Sequence, residues 1–137
     1  MDQWQTPTLG INLRIPLAFS TVFGYVTSRL KQEGFVVHAF MDIQDTLKRK
    51  LNVDTQPFQM MRVYNPELIT RAKELACDVI LLPYNITIAR MEDGTTELTM
   101  QDPLSPLSVL ENPAIQPIVS EAHRLLQGIA YELERWR

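Results

Sequence analysis

The chain has 137 residues, of which 45% are hydrophobic and 21% are charged. These values are typical of one globular domain, residues 1–137. The net charge of −3 argues against sequence-independent nucleic-acid binding, which needs a basic surface to neutralise phosphates. The apolar runs are too short for a membrane span, and the one cysteine excludes an internal disulfide. We therefore expect a cytoplasmic protein with no nucleic-acid or membrane partner.

The first third of the chain shows a strand period, then a helix period, then a short apolar run. Alternate residues from Leu9 to Ile15 are apolar, which predicts a half-buried strand. Pro16 suits the first position of the helix that follows, and Gly34 suits the position just after its end. The stretch FVVHAFM at 35–41 is apolar on both faces, so we predict a strand in the centre of the sheet.

Two further helices are predicted from their N-terminal capping residues. Asp42 precedes the amphipathic stretch 43–51 and is a favourable N-cap. Asn65 followed by Pro66 combines an N-cap with a proline at the first helical position. The helix that begins there should end near Asp78.

The stretch YNITIARMEDGTTELTMQD at 84–102 predicts a β-hairpin, and its apolar residues select the register. A two-residue loop would set apolar side chains against polar ones, which a half-buried sheet disfavours. A three-residue loop at 92–94, with Gly94 in the left-handed region, moves the pairing by one residue. The apolar pairs are then Ile88 with Leu98 and Ile86 with Met100.

A proline-broken connector follows the hairpin, and the last helix runs from about Gln116 to Trp136. The order of elements is strand, helix, strand, helix, strand, helix, strand, strand, helix. With a hairpin and no glycine-rich phosphate loop, this order predicts an α+β fold with one mainly antiparallel sheet of about five strands. The apolar stripe on the long C-terminal helix comprises Ile118, Ala122, Leu125, Ile129, Leu133 and Trp136.

The hairpin register brings polar residues to one rim of the sheet. If the strand PFQMMRVY at 57–64 runs antiparallel beside the hairpin, its end reaches the same rim. Residues of these types are first of all turn and cap formers, so a structural role is the favoured interpretation. The functional alternative is a polar lip on an apolar pocket that binds a small ligand. The rim residues are Tyr64, Asn65, Tyr84, Asn85 and Asp102.

Other residues with reactive or metal-binding side chains lack partners in the sequence. His38 and His123 are isolated, so a hydrogen-bonded or exposed role is favoured over ligation of haem iron or another metal. No base is evident for Cys77 as a nucleophile, and metal-site spacing is absent. No metal site is predicted, and the sequence does not identify a cofactor. Core filling is favoured over a soft-metal patch for Met60, Met61, Met91 and Met100.

Four stretches together resemble the domain of unknown function 302 family of small prokaryotic proteins. They are EGFVVHAFMDIQDTLKRKLNVD, YNPELITRA, LLPYNITI and the Asp102-Pro103 pair. The resemblance implies a compact fold like that of TATA-binding protein, with a curved antiparallel sheet backed by helices, and it implies a homodimer. It implies neither DNA binding nor a reaction. The family commonly has cysteine where this chain has Tyr84, which argues against thiol chemistry at that position.

Three functions stay open at this point. The first is a homodimeric small-ligand-binding or sensing module, whose ligand is apolar or amphipathic. The second is a structural or protein-interaction module with no small-molecule site. An enzyme is the least supported of the three, because the sequence contains no recognisable pair of nucleophile and base.

Overall fold

The computed structural model describes residues 11–74, 84–101 and 116–135. These residues form five strands and four helices. In chain order they are β1 (Ile11–Ile15), α1 (Phe19–Gln32), β2 (Val36–Asp42), α2 (Ile43–Leu51), β3 (Phe58–Tyr64), α3 (Pro66–Glu74), β4 (Tyr84–Arg90), β5 (Thr96–Gln101) and α4 (Gln116–Arg135).

The five strands form one antiparallel sheet in the order β1-β5-β4-β3-β2. This confirms the predicted α+β class with a single antiparallel sheet and a long C-terminal helix. β4 lies in the centre of the sheet, and β3 runs antiparallel beside it with Val63 opposite Tyr84. The strand end at Tyr64 therefore lies at the same end of the sheet as the start of β4, as predicted.

The prediction that the stretch 35–41 forms a central strand is wrong. β2 is an edge strand that pairs only with β3 among the described strands. Each residue from Val36 to Met41 is exposed, and the pairing with β3 shifts between Val37 and Ala39, which leaves His38 as an extra residue. An apolar sequence on both faces is typical of a strand with neighbours on both sides, but it does not show that those neighbours are present.

The hairpin of β4 and β5 has the predicted register. Ile88 pairs with Leu98, and Ile86 pairs with Met100. The Met91 N–H donates to the Thr95 carbonyl at 2.8 Å and closes the three-residue loop, in which Gly94 has φ +90°. Because only glycine adopts this conformation at low cost, Gly94 allows the loop that sets the apolar pairs.

Helix α1 begins at Phe19, three residues after the predicted start at Pro16. Ala18 is the N-cap and makes no side-chain capping bond. The hydroxyl of buried Thr96 donates to the Leu17 carbonyl at 2.7 Å, which holds this connection against β5 before the helix begins. The contact joins residues far apart in sequence, so no local signal at Pro16 reveals it.

The C-terminus of α1 is capped at Gly34, as predicted. Gly34 has φ +90°, and its N–H donates to Lys31 while the Phe35 N–H donates to Leu30. These two bonds form the Schellman arrangement that satisfies the last carbonyls of a helix.

The hydrophobic core lies between one face of the sheet and helices α1, α3 and α4. Leu126 and Ala130 of α4 are buried, whereas the predicted stripe residue Leu125 is only half-buried. The other core residues of α4 are Ile118, Ala122, Ile129 and Leu133, as predicted. The sheet and α1 contribute Ile15, Met61, Val63, Tyr84, Ile86, Ile88, Leu98, Met100, Val22, Val26 and Leu30.

A polar contact also joins α1 to α4. The Tyr25 hydroxyl and the Arg29 guanidinium both donate to Glu132 Oε1, and Arg29 also donates to Glu33 at 2.9 Å. Glu132 is therefore part of a helix–helix contact, although its sequence neighbours suggest a solvated surface. Burial raises the pKa of Tyr25, and the positive charge of Arg29 partly opposes this effect.

Candidate functional site

The face of the sheet that points away from α1, α3 and α4, here called the outer face, is polar on one side and apolar on the other. Because side chains alternate along a strand, the residues between the buried ones belong to this face. On β1 and β5 they are polar, with the Asn12 amide donating to Thr99 at 2.9 Å. On β2 and β3 they include Ala39, Met41 and Met60.

A depression of about 230 Å³ lies where β2, β3 and β4 meet. Met41 pairs with Met60, and Ala39 pairs with Arg62, so three of the four side chains from these two pairs are apolar. The small side chain of Ala39 leaves space between its larger neighbours. The residues that line the depression are Ala39, Phe40, Met41, Met60, Arg62 and Asn85.

Arg62 and Asn85 form the polar part of this depression. They are direct cross-strand neighbours, and Arg62 Nε donates to Asn85 Oδ1 at 3.3 Å. No described carboxylate lies within ion-pairing distance of Arg62. Arg14 on the same face differs, because its guanidinium lies 3.7 Å from Glu97 and 3.9 Å from Asp93.

Four of the five predicted rim residues lie at one end of β3 and β4, but they do not share one surface. Tyr84 is 1% exposed and lies in the core under the helices. Its neighbour Asn85 is half-buried and faces the opposite way, into the outer-face depression. Consecutive strand residues point to opposite faces, which explains the separation. Asp102 lies outside the described residues.

The polar atoms of Asn65 are used by the fold. Its Oδ1 accepts from the backbone N–H groups of Glu67 and Leu68 at 3.1 and 3.4 Å, and its Nδ2 donates to the Glu33 carbonyl at 3.2 Å. The predicted N-cap is confirmed. Tyr64 is half-buried, and its ring lies 5.9 Å from the His38 ring in an edge-to-face arrangement. A binding role for Tyr64, Asn65 or Tyr84 stays a prediction.

Sequence reasoning missed Arg62 and the methionine pair beside it. The antiparallel arrangement of β3 beside β4 was expected, but Arg62 lies opposite Asn85 only in the register that sets Val63 opposite Tyr84, and the structure alone shows that register. Met41 was not expected at the surface, because its strand β2 was wrongly predicted to lie in the centre of the sheet. Of the predicted core methionines, Met61 and Met100 are buried, whereas Met60 is 36% exposed.

A second depression, of about 330 Å³, lies beside α2 and contains three carboxylates. Lys48 lies 3.0 Å from Asp54, and Arg49 lies 2.7 Å from Asp45. Asp42 accepts from the Asp45 N–H at 2.9 Å, which confirms the predicted N-cap of α2. Each carboxylate therefore has a partner within the fold, so this depression does not indicate a cation-binding site.

Histidine, cysteine and carboxylate side chains do not assemble into a metal-binding group within the described residues. His38 is exposed on the outer face, and His123 is half-buried on α4. Burial lowers the pKa of His123. Cys77 lies outside the described residues.

None of the helices in the described part of the chain is long and apolar enough to cross a membrane.

Comparisons with known proteins agree with this architecture. The model of the family described as "Domain of unknown function DUF302" matches residues 11–133. The chain is also similar to the crystal structure of an uncharacterized conserved DUF302 protein from Bacillus stearothermophilus, with a TM-score of 0.72 and 23% identity over 95% of this chain and 99% of that chain. No curated protein matches. The antiparallel sheet, its helical layer and the family match together show that this chain belongs to the DUF302 family.

Proposed function

We propose that this protein is a homodimeric small-ligand-binding or sensing module, with its ligand site in the outer-face depression. The observation that carries the proposal is the combination of an apolar surface with two adjacent polar side chains, Arg62 and Asn85, in one depression. Small-ligand sites commonly have this composition, with apolar walls and a few polar groups that orient the ligand.

The depression is open and small, which limits the ligand. Its volume of about 230 Å³ lies below the range of roughly 300–1,000 Å³ that is usual for drug-sized ligands. Dividing this volume by roughly 30 Å³, the share of one molecule in liquid water, gives room for about eight non-hydrogen atoms. A short amphipathic molecule fits this space better than a nucleotide or a large cofactor.

The dimer proposal rests on strand β2. Val36, Val37, Phe40 and Met41 are all more than 40% exposed, and residues 36–41 contain no charged residue and no proline. Edge strands of soluble proteins are usually protected by lysine, proline or a covering element. Pairing with β2 of a second copy would satisfy the free backbone groups of this edge and place the apolar side chains of the two strands next to each other.

Native mass spectrometry of freshly purified protein, with an absorbance scan of the same sample, is the first test of ligand binding. We expect a dimer that carries additional non-covalent mass in the range of a small metabolite. Asn85→Ala should reduce the occupancy, whereas Thr87→Ala, on the same face of the same strand, should not. Full occupancy in Asn85→Ala would contradict the placement of the site.

Light scattering coupled to size-exclusion chromatography tests the dimer surface. Phe40 is 53% exposed on β2 and Tyr131 is 54% exposed on α4, so these two aromatic residues form a matched pair. Phe40→Glu should produce a monomer, because it places a charge in the β2 contact, and Tyr131→Glu should remain a dimer. A wild-type monomer at micromolar concentration, or a dimer that survives Phe40→Glu, would contradict a β2 interface.

The exposed β2 edge also favours a second candidate, a structural or protein-interaction module with no small-molecule site. This candidate predicts that the purified dimer carries no additional mass. It also predicts that Asn85→Ala lowers the melting temperature without changing any binding. A change in ligand occupancy without a loss of stability would favour the ligand-binding module.

A further inference from the structure

We infer that the outer-face depression binds a short amphipathic carboxylate, with Arg62 as the contact for the carboxylate group. This inference rests on the proposed ligand-binding function and adds the chemical class of the ligand. It depends on three features of the depression, which are the charge of Arg62, the donors left on the Arg62–Asn85 pair, and the apolar surface beside them.

The first feature is a positive charge without a described counter-charge. The two cross-strand neighbours of Arg62 are Ala39 and Asn85, and neither carries a charge. By contrast, Arg14 on the same face lies directly opposite Glu97. An exposed arginine next to apolar surface attracts an anion, because the guanidinium is always charged and weakly hydrated.

The second feature is the orientation of the donors. Arg62 uses Nε to donate to Asn85 Oδ1, so its two terminal amino groups remain available among the described contacts. Two parallel N–H groups of a guanidinium match the two oxygens of a carboxylate. With Oδ1 accepting from Arg62, the Asn85 Nδ2 group is a further donor at the same place. The pair thus presents several donors to a single acceptor group.

The third feature is the apolar surface adjoining these donors. Met41 and Met60 lie directly opposite each other, and their side chains are 48% and 36% exposed. Methionine side chains are flexible and polarizable, so they adapt to an alkyl or aryl chain. A ligand with one anionic end and one apolar end would contact Arg62 and the methionine pair at once.

The available space holds about eight non-hydrogen atoms, which favours a short carboxylate. Octanoate slightly exceeds this size, so the end of its alkyl chain extends out of the open depression. Inorganic phosphate would engage Arg62 but leave the methionine pair uncovered, and a cationic amphiphile would be repelled by Arg62. The combination of charge and surface therefore favours a short monocarboxylate over either alternative.

The test compares octanoate, 1-octanol and octylammonium by two-dimensional NMR of the full chain. We expect octanoate to shift the amide signals of β2, β3 and β4 around Ala39, Met60 and Asn85. It should bind at least tenfold more tightly than the neutral alcohol, since a charge-assisted bond replaces an ordinary one. The cation should bind more weakly still, and added salt should weaken the octanoate complex.

Arg62→Gln and Arg14→Gln are the matched variants for this test. Both arginines are exposed on the outer face, so either substitution should leave the fold intact. Arg62→Gln should weaken octanoate binding at least tenfold and leave octanol binding unchanged. Arg14→Gln should retain wild-type affinity for both probes.

The outcomes separate this inference from the function on which it rests. If octanoate and octanol bind equally at the depression and Arg62→Gln alters neither, the carboxylate inference is overturned while a binding module stands. If no probe shifts the signals around Asn85 and native mass spectrometry also finds no ligand, the proposed site itself is wrong.

Discussion

At the residue scale, Asn65 joins three parts of the fold. It follows the last residue of β3, caps the first turn of α3, and donates to a carbonyl at the end of α1. A buried amide of this kind is costly to remove because the groups that it satisfies would remain buried without partners.

We therefore predict that Asn65→Ala lowers the free energy of unfolding by about 1–2 kcal/mol, the usual size of an N-cap effect. Asn12→Ala removes an exposed amide on the outer face and should change stability by less than about 0.5 kcal/mol. Urea denaturation measures both values. An Asn65→Ala protein as stable as Asn12→Ala would contradict the capping role.

His123 gives a second prediction at this scale, through pH. Burial lowers its folded-state pKa below the ordinary 6.5, so the unfolded chain takes up the proton more readily. By linkage, stability is fully present above pH 6.5 and is lost as pH falls through the lower folded-state pKa.

His123→Gln removes this pH-dependent contribution to stability. The variant should therefore lose less stability than the wild type between pH 7 and the acidic end of that window. Thermal unfolding measured across the window tests the prediction. His38→Gln, which changes the exposed imidazole on the outer face, controls for the loss of a histidine ring. Equal acid sensitivity in wild type and His123→Gln would show that burial of His123 contributes nothing.

At the scale of one element, strand β3 contains two adjacent methionines, Met60 and Met61, that face opposite sides of the sheet. Met61 is 1% exposed and faces the core, whereas Met60 is 36% exposed and faces outward. Met61→Ala should cost about 2–5 kcal/mol, because it removes buried surface and leaves a cavity. Met60→Ala should cost less than 1 kcal/mol, since water already reaches that side chain.

Chemical denaturation of the two variants tests which face of the sheet is the core. Similar losses in both would mean that the outer face is covered as well as the helical face. The two variants should also differ in ligand binding, because Met60 borders the proposed ligand site and Met61 does not. Only Met60→Ala should weaken octanoate binding.

At the scale of the whole molecule, the sheet has one edge that differs from its centre. β4 pairs on both sides, and its residues Ile86 and Ile88 are fully buried. β2 pairs with β3 alone among the described strands and is exposed along most of its length. Local opening needs least free energy where few apolar contacts hold a strand, so β2 should open before β4.

Hydrogen exchange should therefore show strong protection in β4 and weak protection in β2 at low protein concentration. If two copies pair through β2, protection of that strand should rise with protein concentration while that of β4 stays constant. Protection of β2 that does not depend on concentration would locate any dimer contact elsewhere.

Short-range signals predicted much of this structure. Asp42, Gly34 and Asn65 mark helix ends through bonds to residues only a few positions away, so their sequence neighbourhood is sufficient. The hairpin register was also predictable, because loop length and the apolar pairs Ile88–Leu98 and Ile86–Met100 agree in only one arrangement. The family resemblance rested on the same local stretches, and the family match confirms it.

The candidate site was predicted only in part. A position at a strand end identifies Asn85 as a rim residue, but the predicted rim omits its partner Arg62 and includes Tyr84, which faces the core. The reason is geometric. A rim defined by strand ends says which residues are near each other along the sheet, whereas a binding surface also depends on which face each side chain takes.

The sequence by itself determined the α+β class, most helix caps and the hairpin register, since these depend on periodicity and on bonds between near neighbours. The tertiary structure alone decided that apolar β2 is an edge, that Thr96 bonds to the connection before α1, and that Arg62 meets Asn85 beside two methionines. These features depend on contacts between segments distant in sequence. Their formation is governed by the packing of the whole sheet against its helices, which no local pattern encodes.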